Sequence, residues 1–319
     1  MIPAMPAPLP APTFDAGAAY PEVNDLRKAL DAADWPAVRA LFADRDPAHR
    51  TLLVSAAGDQ EGTEPFLRRV YDNDPTDALA GTLLGNCLIR TGWRIRSAAR
   101  AQHVSRSQFD KFHDHLRRAE QVLIDVTARH EDDAAAWTQR ITLARGLQLG
   151  QNETRRRYDR LARHHPHHLP AQASLLQQLC PKWSGDWDRA FGFARECAQA
   201  APDGAPNAAI VAEAHLERWL EFDTERERTE YLRSTPVVDE IMRCGQRSVL
   251  HPDYVDKADW VWVRSTFALM FSLTEQWSAA ASQFTVLGNL GSEYPWAYVD
   301  EAEGFTKYRA KAYAKGGRS

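Results

Sequence analysis

Proline-marked breaks between stretches of helical periodicity constrain this chain more than any other feature. His165-Pro166 and Ala201-Pro202 stand 36 residues apart, and between them two amphipathic segments flank the turn Pro181-Lys-Trp-Ser-Gly185. Similar punctuation occurs at Asp74-Pro75, ahead of Asp77-Ala-Leu-Ala80, and at Glu131-Asp-Asp-Ala-Ala-Ala-Trp137, with Glu131 where Pro would stand. His251-Pro252 and Tyr294-Pro295 continue it with irregular spacing. Proline cannot continue a helix, and breaks recurring at such intervals are the mark of stacked helical hairpins. No unit matches a full tetratricopeptide consensus, yet a globular bundle has no reason to repeat the spacing. The expected fold is all-α: tetratricopeptide-like αα-hairpins stacked into a right-handed solenoid.

The segments between breaks support helices one by one. Trp187, Ala190, Phe191, Ala194, Cys197, Ala198 and Ala201 share one side of a 3.6-residue helix, with Asp186 as its N-cap. Phe109, Phe112, Leu116, Ala119, Leu123 and Val126 step by threes and fours and predict another. Val23 to Phe42 reads as two helices broken near Asp34 to Pro36, and Thr51 to Ala57 as a further short one. Gly58 to Thr63 reads as a loop, and Pro65 opens the next helix. Trp260 to Leu273 is apolar on most sides, and Trp277, Ala280, Phe284, Leu287 and Leu290 form its partner's face. Asp300 to Ala314 is polar and suits a capping helix.

Thr91 to Ser107 lacks a helical period and is expected to be an insertion, near residues 91–107, in a single repeat domain over residues 20–313. Residues 1–19, rich in Pro and Ala, are expected to be a disordered tail, and residues 314–319 a frayed basic one. The N-terminus lacks the basic start and apolar core of a secretory signal, and Phe267-Ala-Leu-Met-Phe271 is too short to cross a bilayer. Cys87, Cys180, Cys197 and Cys244 are scattered without a close pair, so neither a disulfide framework nor a zinc site is suggested. A cytoplasmic protein with reduced thiols follows as the expectation.

Pro181-Lys-Trp183 with Gly185, Phe193-Ala-Arg195, and Ala214-His215 with Glu217 resemble the uncharacterised bacterial family catalogued as domain of unknown function 4034. Ala99-Arg100 near Val104, and Phe112 with Leu116 and Ala119, fit as well. The resemblance covers about residues 90–220. Ser184 and Ala101 depart from it, since the family has Gly at both. It implies a tetratricopeptide-like helical fold and no particular activity.

Sites are read from residue types in that frame. An inter-helix turn does not need a tryptophan, so Trp183 either anchors the turn by packing or lines a ligand groove beside Lys182. Trp93, Arg96, Arg100, Lys182, Trp183 and His215 are the residues expected to line that groove. The arginines and Lys182 would supply charge, Trp183 an aromatic anchor and His215 a pH-sensitive hydrogen bond. On a helical wheel His215 falls on the apolar side, as a satisfied core histidine or one facing the groove, while Glu213, Glu217 and Glu221 fall opposite. His164, His165, His167 and His168 surround Pro166, but a helix-ending turn splays them, so no metal site is assigned.

Charge is uneven: Arg90 to His168 holds 16 Lys and Arg against 9 Asp and Glu, in a chain of net charge −4. Arg155, Arg156, Arg157 and Arg160 are the densest group. Either they pair with acidic neighbours on exposed helix faces or they bind an anion. Nearby aromatic residues are too few for a single-strand nucleic-acid binder. The sequence holds no phosphate loop, dinucleotide fingerprint, nucleophile elbow or His-Glu-x-x-His, so no catalytic residue and no cofactor are assigned. The leading expectation is a module gripping a protein or peptide partner in a concave groove, with no membrane role. An enzyme or small-ligand binder around His215, Lys182 and Trp183 is the first alternative. An anionic polymer on Arg155 to Arg163 is the second.

Overall fold

In the computed structural model, which describes residues 9–97 and 104–317, acidic side chains start helices where the sequence breaks. Asp34, Asp46, Asp77, Asp133 and Asp186 each accept a backbone N–H from the first turn that follows, satisfying donors that a helix leaves open. In chain order the helices begin with α1 (Ala16–Ala19), α2 (Pro21–Asp31), α3 (Trp35–Phe42), α4 (Pro47–Asp59), α5 (Glu64–Asn73) and α6 (Ala78–Arg96). Next come α7 (Arg106–Arg129), α8 (Ala134–Gly146), α9 (Gln151–Ala162), α10 (Leu169–Leu179) and α11 (Trp187–Ala200). Then follow α12 (Ala209–Leu220), α13 (Glu225–Leu232), α14 (Thr235–Arg247), α15 (Trp260–Leu273), α16 (Trp277–Leu287), α17 (Glu293–Trp296) and α18 (Glu301–Gly316). The described residues are all-helical, with no strand among them.

The chain divides into two compact units in place of the single domain expected over 20–313. One holds Pro21–Ala201 with Lys257–Asp259; the other holds Met1–Tyr20, Pro202–Asp256 and Trp260–Ser319. The break at Ala201-Pro202 is therefore a unit boundary as well as a helix stop.

In the Pro21–Ala201 unit, neighbours in sequence pack as neighbours in space: α2 on α3, α5 and α4 on α6, α6 on α7, α7 on α8, α8 on α9, and α10 on α11. Glycines let α7 lie closely on α6. A Cβ at Gly81 would come within 2.5 Å of Val126, and one at Gly85 within 2.6 Å of Leu123. Phe112, Leu116, Ala119, Leu123 and Val126 are buried, following the period of α7. Helix α6 continues through Thr91 to Arg96, so the first six residues of the expected insertion are helix. Ser105 then starts α7 with a reciprocal capping box to Gln108. Residues 98–103 lie outside the described residues. Helix α4 also runs two residues beyond Ala57, through Gly58 and Asp59, where a loop was expected. In α11 the inward aromatic is Phe193, edge-on to Tyr158 at 5.2 Å, whereas Phe191 lies half-exposed under Arg195. Positions 190, 193, 194 and 197 hold the core seam, and Phe191 falls one step beyond it.

In the Pro202–Ser319 unit, α15 is enclosed by α12, α14, α16 and α17 and is buried nearly throughout. Phe305 of the terminal α18 packs edge-to-face on Phe284 of α16 and on Trp296 of α17. Residues 9–19, expected in a disordered tail, are held here instead. Thr13 bridges to Leu290, Asp15 caps α1, and buried Arg309 donates to the Pro10 carbonyl at 2.7 Å. Residues 1–8 lie outside the described residues. At the other end α18 persists through Gly316, where a Cβ would meet the Trp277 carbonyl at 2.2 Å, so fraying does not begin at 314. Cys87, Cys180, Cys197 and Cys244 are buried and unbridged. No helix among the described residues is long and apolar enough to cross a membrane.

Candidate functional site: an aromatic and arginine cluster

Trp93, near the end of α6, and Trp183, in the turn after α10, meet edge-to-face at 6.1 Å. Three local features place them. Helix α6 runs on far enough to carry Trp93 beyond the glycine contacts with α7, where Phe112 packs on it at 4.8 Å. Gly146 at the end of α8 leaves room for that pair, since a Cβ there would lie 3.4 Å from Trp93 and 3.2 Å from Phe112. The Pro181 turn is then closed by Gly185, where a Cβ would fall 1.8 Å from the Leu179 carbonyl oxygen. Gln178 donates to the Trp183 carbonyl at 3.0 Å and fixes the turn further. Ser184, beside it, adopts a left-handed conformation with φ 67° and ψ 22°.

Both tryptophans are half-buried, and each carries a guanidinium. Arg96 lies 5.5 Å from the centre of Trp93 and 5.9 Å from that of Phe109, while Arg145 lies 5.4 Å from that of Trp183. Each guanidinium is also tied to the backbone, Arg96 donating to the Ser97 carbonyl at 3.0 Å and Arg145 to the Ser174 carbonyl at 3.4 Å, so a positive charge is fixed over each ring. Of the residues expected to line a groove, Trp93, Arg96 and Trp183 are thus brought together, and Lys182 is exposed next to them. Arg100 lies outside the described residues. Arg145 was missed by sequence reasoning; its signal was its place at the end of α8, level with the turn that follows α10.

His215 belongs to the other unit, and its environment is its own. It is 3% exposed on α12, with Nδ1 2.7 Å from the Tyr231 hydroxyl on α13 and Nε2 3.0 Å from Glu240 Oε2 on α14. A carboxylate can only accept, so Nε2–H donates to Glu240. The ring ties three helices of its own unit together. Glu213 and Glu217, expected on a solvated face, are each 3% exposed. The reason is that α12 is covered by α13, α14 and α15 on several sides, so the helix has little solvated face.

Of the arginines expected to bind an anion, Arg157 is corrected, because it is buried in ion pairs. Arg157 is 2% exposed; its guanidinium donates to both oxygens of Glu120 at 2.6 and 3.0 Å, to Glu153 at 2.8 Å and to the Arg140 carbonyl at 2.8 Å. Arg140 donates to the same Glu120 at 2.9 Å. Arg156 forks onto Glu153, and Arg155 pairs with Asp159 at 2.8 Å. The Arg156 hydrogen bond, with Arg157 behind it, holds the Glu153 carboxyl down at about 2. Arg160 is exposed.

Around Pro166 the centre of the His165 ring lies 6.4 Å from that of His164 and 6.5 Å from that of His168. His165 Nε2 lies 2.8 Å from the Asp132 carbonyl. His168 is buried, its Nε2 3.1 Å from the Thr51 hydroxyl, which itself donates to the Pro47 carbonyl. Burial pushes the His168 ring down to about 4. Among the described residues no three of His, Cys, Asp and Glu are grouped to hold a metal. In sequence the chain matches no protein-family model and none of the curated proteins.

Proposed function

We propose that the chain is a cytoplasmic binding module, a tetratricopeptide-like array of helical hairpins akin to the family of domain of unknown function 4034. Its partner is a protein segment presenting an acidic side chain beside an aromatic or apolar one. The observation that carries this reading is the contact of Trp93 with Trp183, residues remote in sequence, each half-exposed and each covered by an arginine. Two half-exposed tryptophans are more than a turn needs for packing, and such rings dominate the energetics of protein contacts. Arg96, Arg145 and Lys182 around them favour a carboxylate. The serial packing of α5 through α11 supports the array reading, since each hairpin leans on the next.

The test is selection of peptides from a randomised display library on the full-length chain, followed by calorimetry on the winners. Enrichment of acidic-aromatic sequences is expected, with Trp183→Ala weakening the selected peptides at least about 30-fold, as for a hot-spot residue. Lys182→Ala, at an exposed rim position, should cost only a few-fold, mostly through the on-rate. Selected peptides that bind Trp93→Ala and Trp183→Ala as tightly as the unmodified chain would remove the reading.

A further inference from the structure

The Pro202–Ser319 unit holds a cleft of about 550 Å³ between α12, α13 and the start of α18. That volume lies within the range of small-molecule sites. Its walls are Trp219, Tyr298 and Tyr308, interleaved with Glu225, Asp300 and Glu303. Three aromatic faces with three carboxylates among them make the chemistry that takes up a positive charge without a full hydration shell.

Two further observations give the sign. The rings already draw cations from the chain itself: Arg228 lies 5.2 Å from the centre of Trp219, and Lys307 5.7 Å from that of Tyr308. Both belong to the cleft wall, and Lys307 is an exposed, flexible side chain that a better-fitting cation can displace. Behind the wall stand the buried Glu213 and Glu217, whose charges, after burial, raise the Tyr298 hydroxyl to about 12. Tyr308 is raised too, first by burial and then by Glu225 and Asp300. The two phenols thus sense four separate carboxylates. Within the wall Arg228 pairs with Glu225 at 3.1 Å, which leaves Asp300 and Glu303 facing the single cation Lys307. Tyr298 is 43% exposed, so its ring is accessible to a ligand.

We propose that this cleft binds a small organic cation of the quaternary-ammonium type, held over Tyr298 and Tyr308 and balanced by Glu303 and Asp300. The proposal is independent of the peptide reading, which concerns the other unit. Calorimetric titration of the full chain with tetramethylammonium and choline, against the neutral isostere 3,3-dimethylbutan-1-ol at matched ionic strength, tests it. Saturable binding of the two cations is expected, at least tenfold tighter than the alcohol. Tyr298→Leu, which removes the ring at an exposed position, and Glu303→Lys, which inverts a surface charge, should each weaken it at least tenfold while leaving helical circular dichroism unchanged. Absence of saturable cation binding, equal binding of the alcohol, or indifference to both substitutions would overturn the proposal.

Discussion

Arg157 and Arg160 lie three positions apart in one basic run, and their environments give them opposite consequences. Arg157 is locked inside with Glu120 and Glu153, so Arg157→Ala leaves Glu120 to Arg140 alone and Glu153 to Arg156 alone, and empties a buried site between them. Removing one member of such a buried pair costs about 3–5 kcal/mol. Arg160→Ala, at an exposed position, should change stability by less than about 0.5 kcal/mol. Chemical denaturation of the two variants checks the contrast; equal effects would mean that Arg157 is not a structural residue. Acid dependence is also residue-specific. His168, with a folded value near 4 against an ordinary 6.5, withdraws stability as pH falls from about 6.5 towards 4, because the unfolded chain takes the proton first. Asp259 works in the other direction. Burial, opposed by His49 and reinforced by Asp46, raises it from 3.8 to about 7, so its burial costs stability as pH rises between those values. The two slopes oppose each other over their common range. His168→Asn should therefore raise stability at pH 5 more than at pH 8, and Asp259→Asn should raise it more at pH 8 than at pH 4. Urea titrations at those pH values would show it, and parallel profiles for both variants would refute it.

At the scale of elements, the helices themselves were legible because apolar spacing and caps agree. Phe112 through Val126 fixed the buried face of α7, and Asp186 fixed the start of α11. What could not be read locally was what each face meets. Glu213 and Glu217 look solvated on a wheel, but several other helices cover α12; likewise Arg157 looks like part of a surface patch until Glu120 arrives from α7. The continuation of α6 through Arg96 was hidden by charge, since its last turns are held by packing with α7 more than by an apolar stripe. The meeting of Trp93 with Trp183 depends on long-range packing that no local pattern encodes. Glycine carries information of the same kind. Gly85→Ala would raise intrinsic helix propensity, yet its methyl would sit 2.6 Å from Leu123. A net loss of about 1–3 kcal/mol is expected from overpacking, and an unchanged melting point would contradict the close α6–α7 approach. Ser184 gives the converse case. Its left-handed backbone strains any residue with a Cβ, so Ser184→Gly should stabilise by about 0.5–1 kcal/mol, measurable by thermal unfolding.

For the whole molecule, the proline punctuation located the change of unit at Ala201-Pro202 without revealing it as one. Composition alone could not show that residues 9–19 are ordered, because their partners lie at the far end of the chain. Deleting residues 1–19 should lower the stability of the Pro202–Ser319 unit by about 2–4 kcal/mol, since Arg309 loses a buried carbonyl acceptor and Phe14 leaves Phe305. Limited proteolysis of the truncated chain should accelerate within α16 and α18, and an unchanged cleavage rate there would show the segment to be dispensable. The contact of Pro10 with Arg309 spans 299 residues. On a ribosome adding about 5–20 residues each second, the first of these leaves the exit tunnel roughly 15–60 s before the second. During that interval the leading segment has no seat, and whatever shields it from proteases or strand-seeking neighbours must come from outside the unit it will eventually complete.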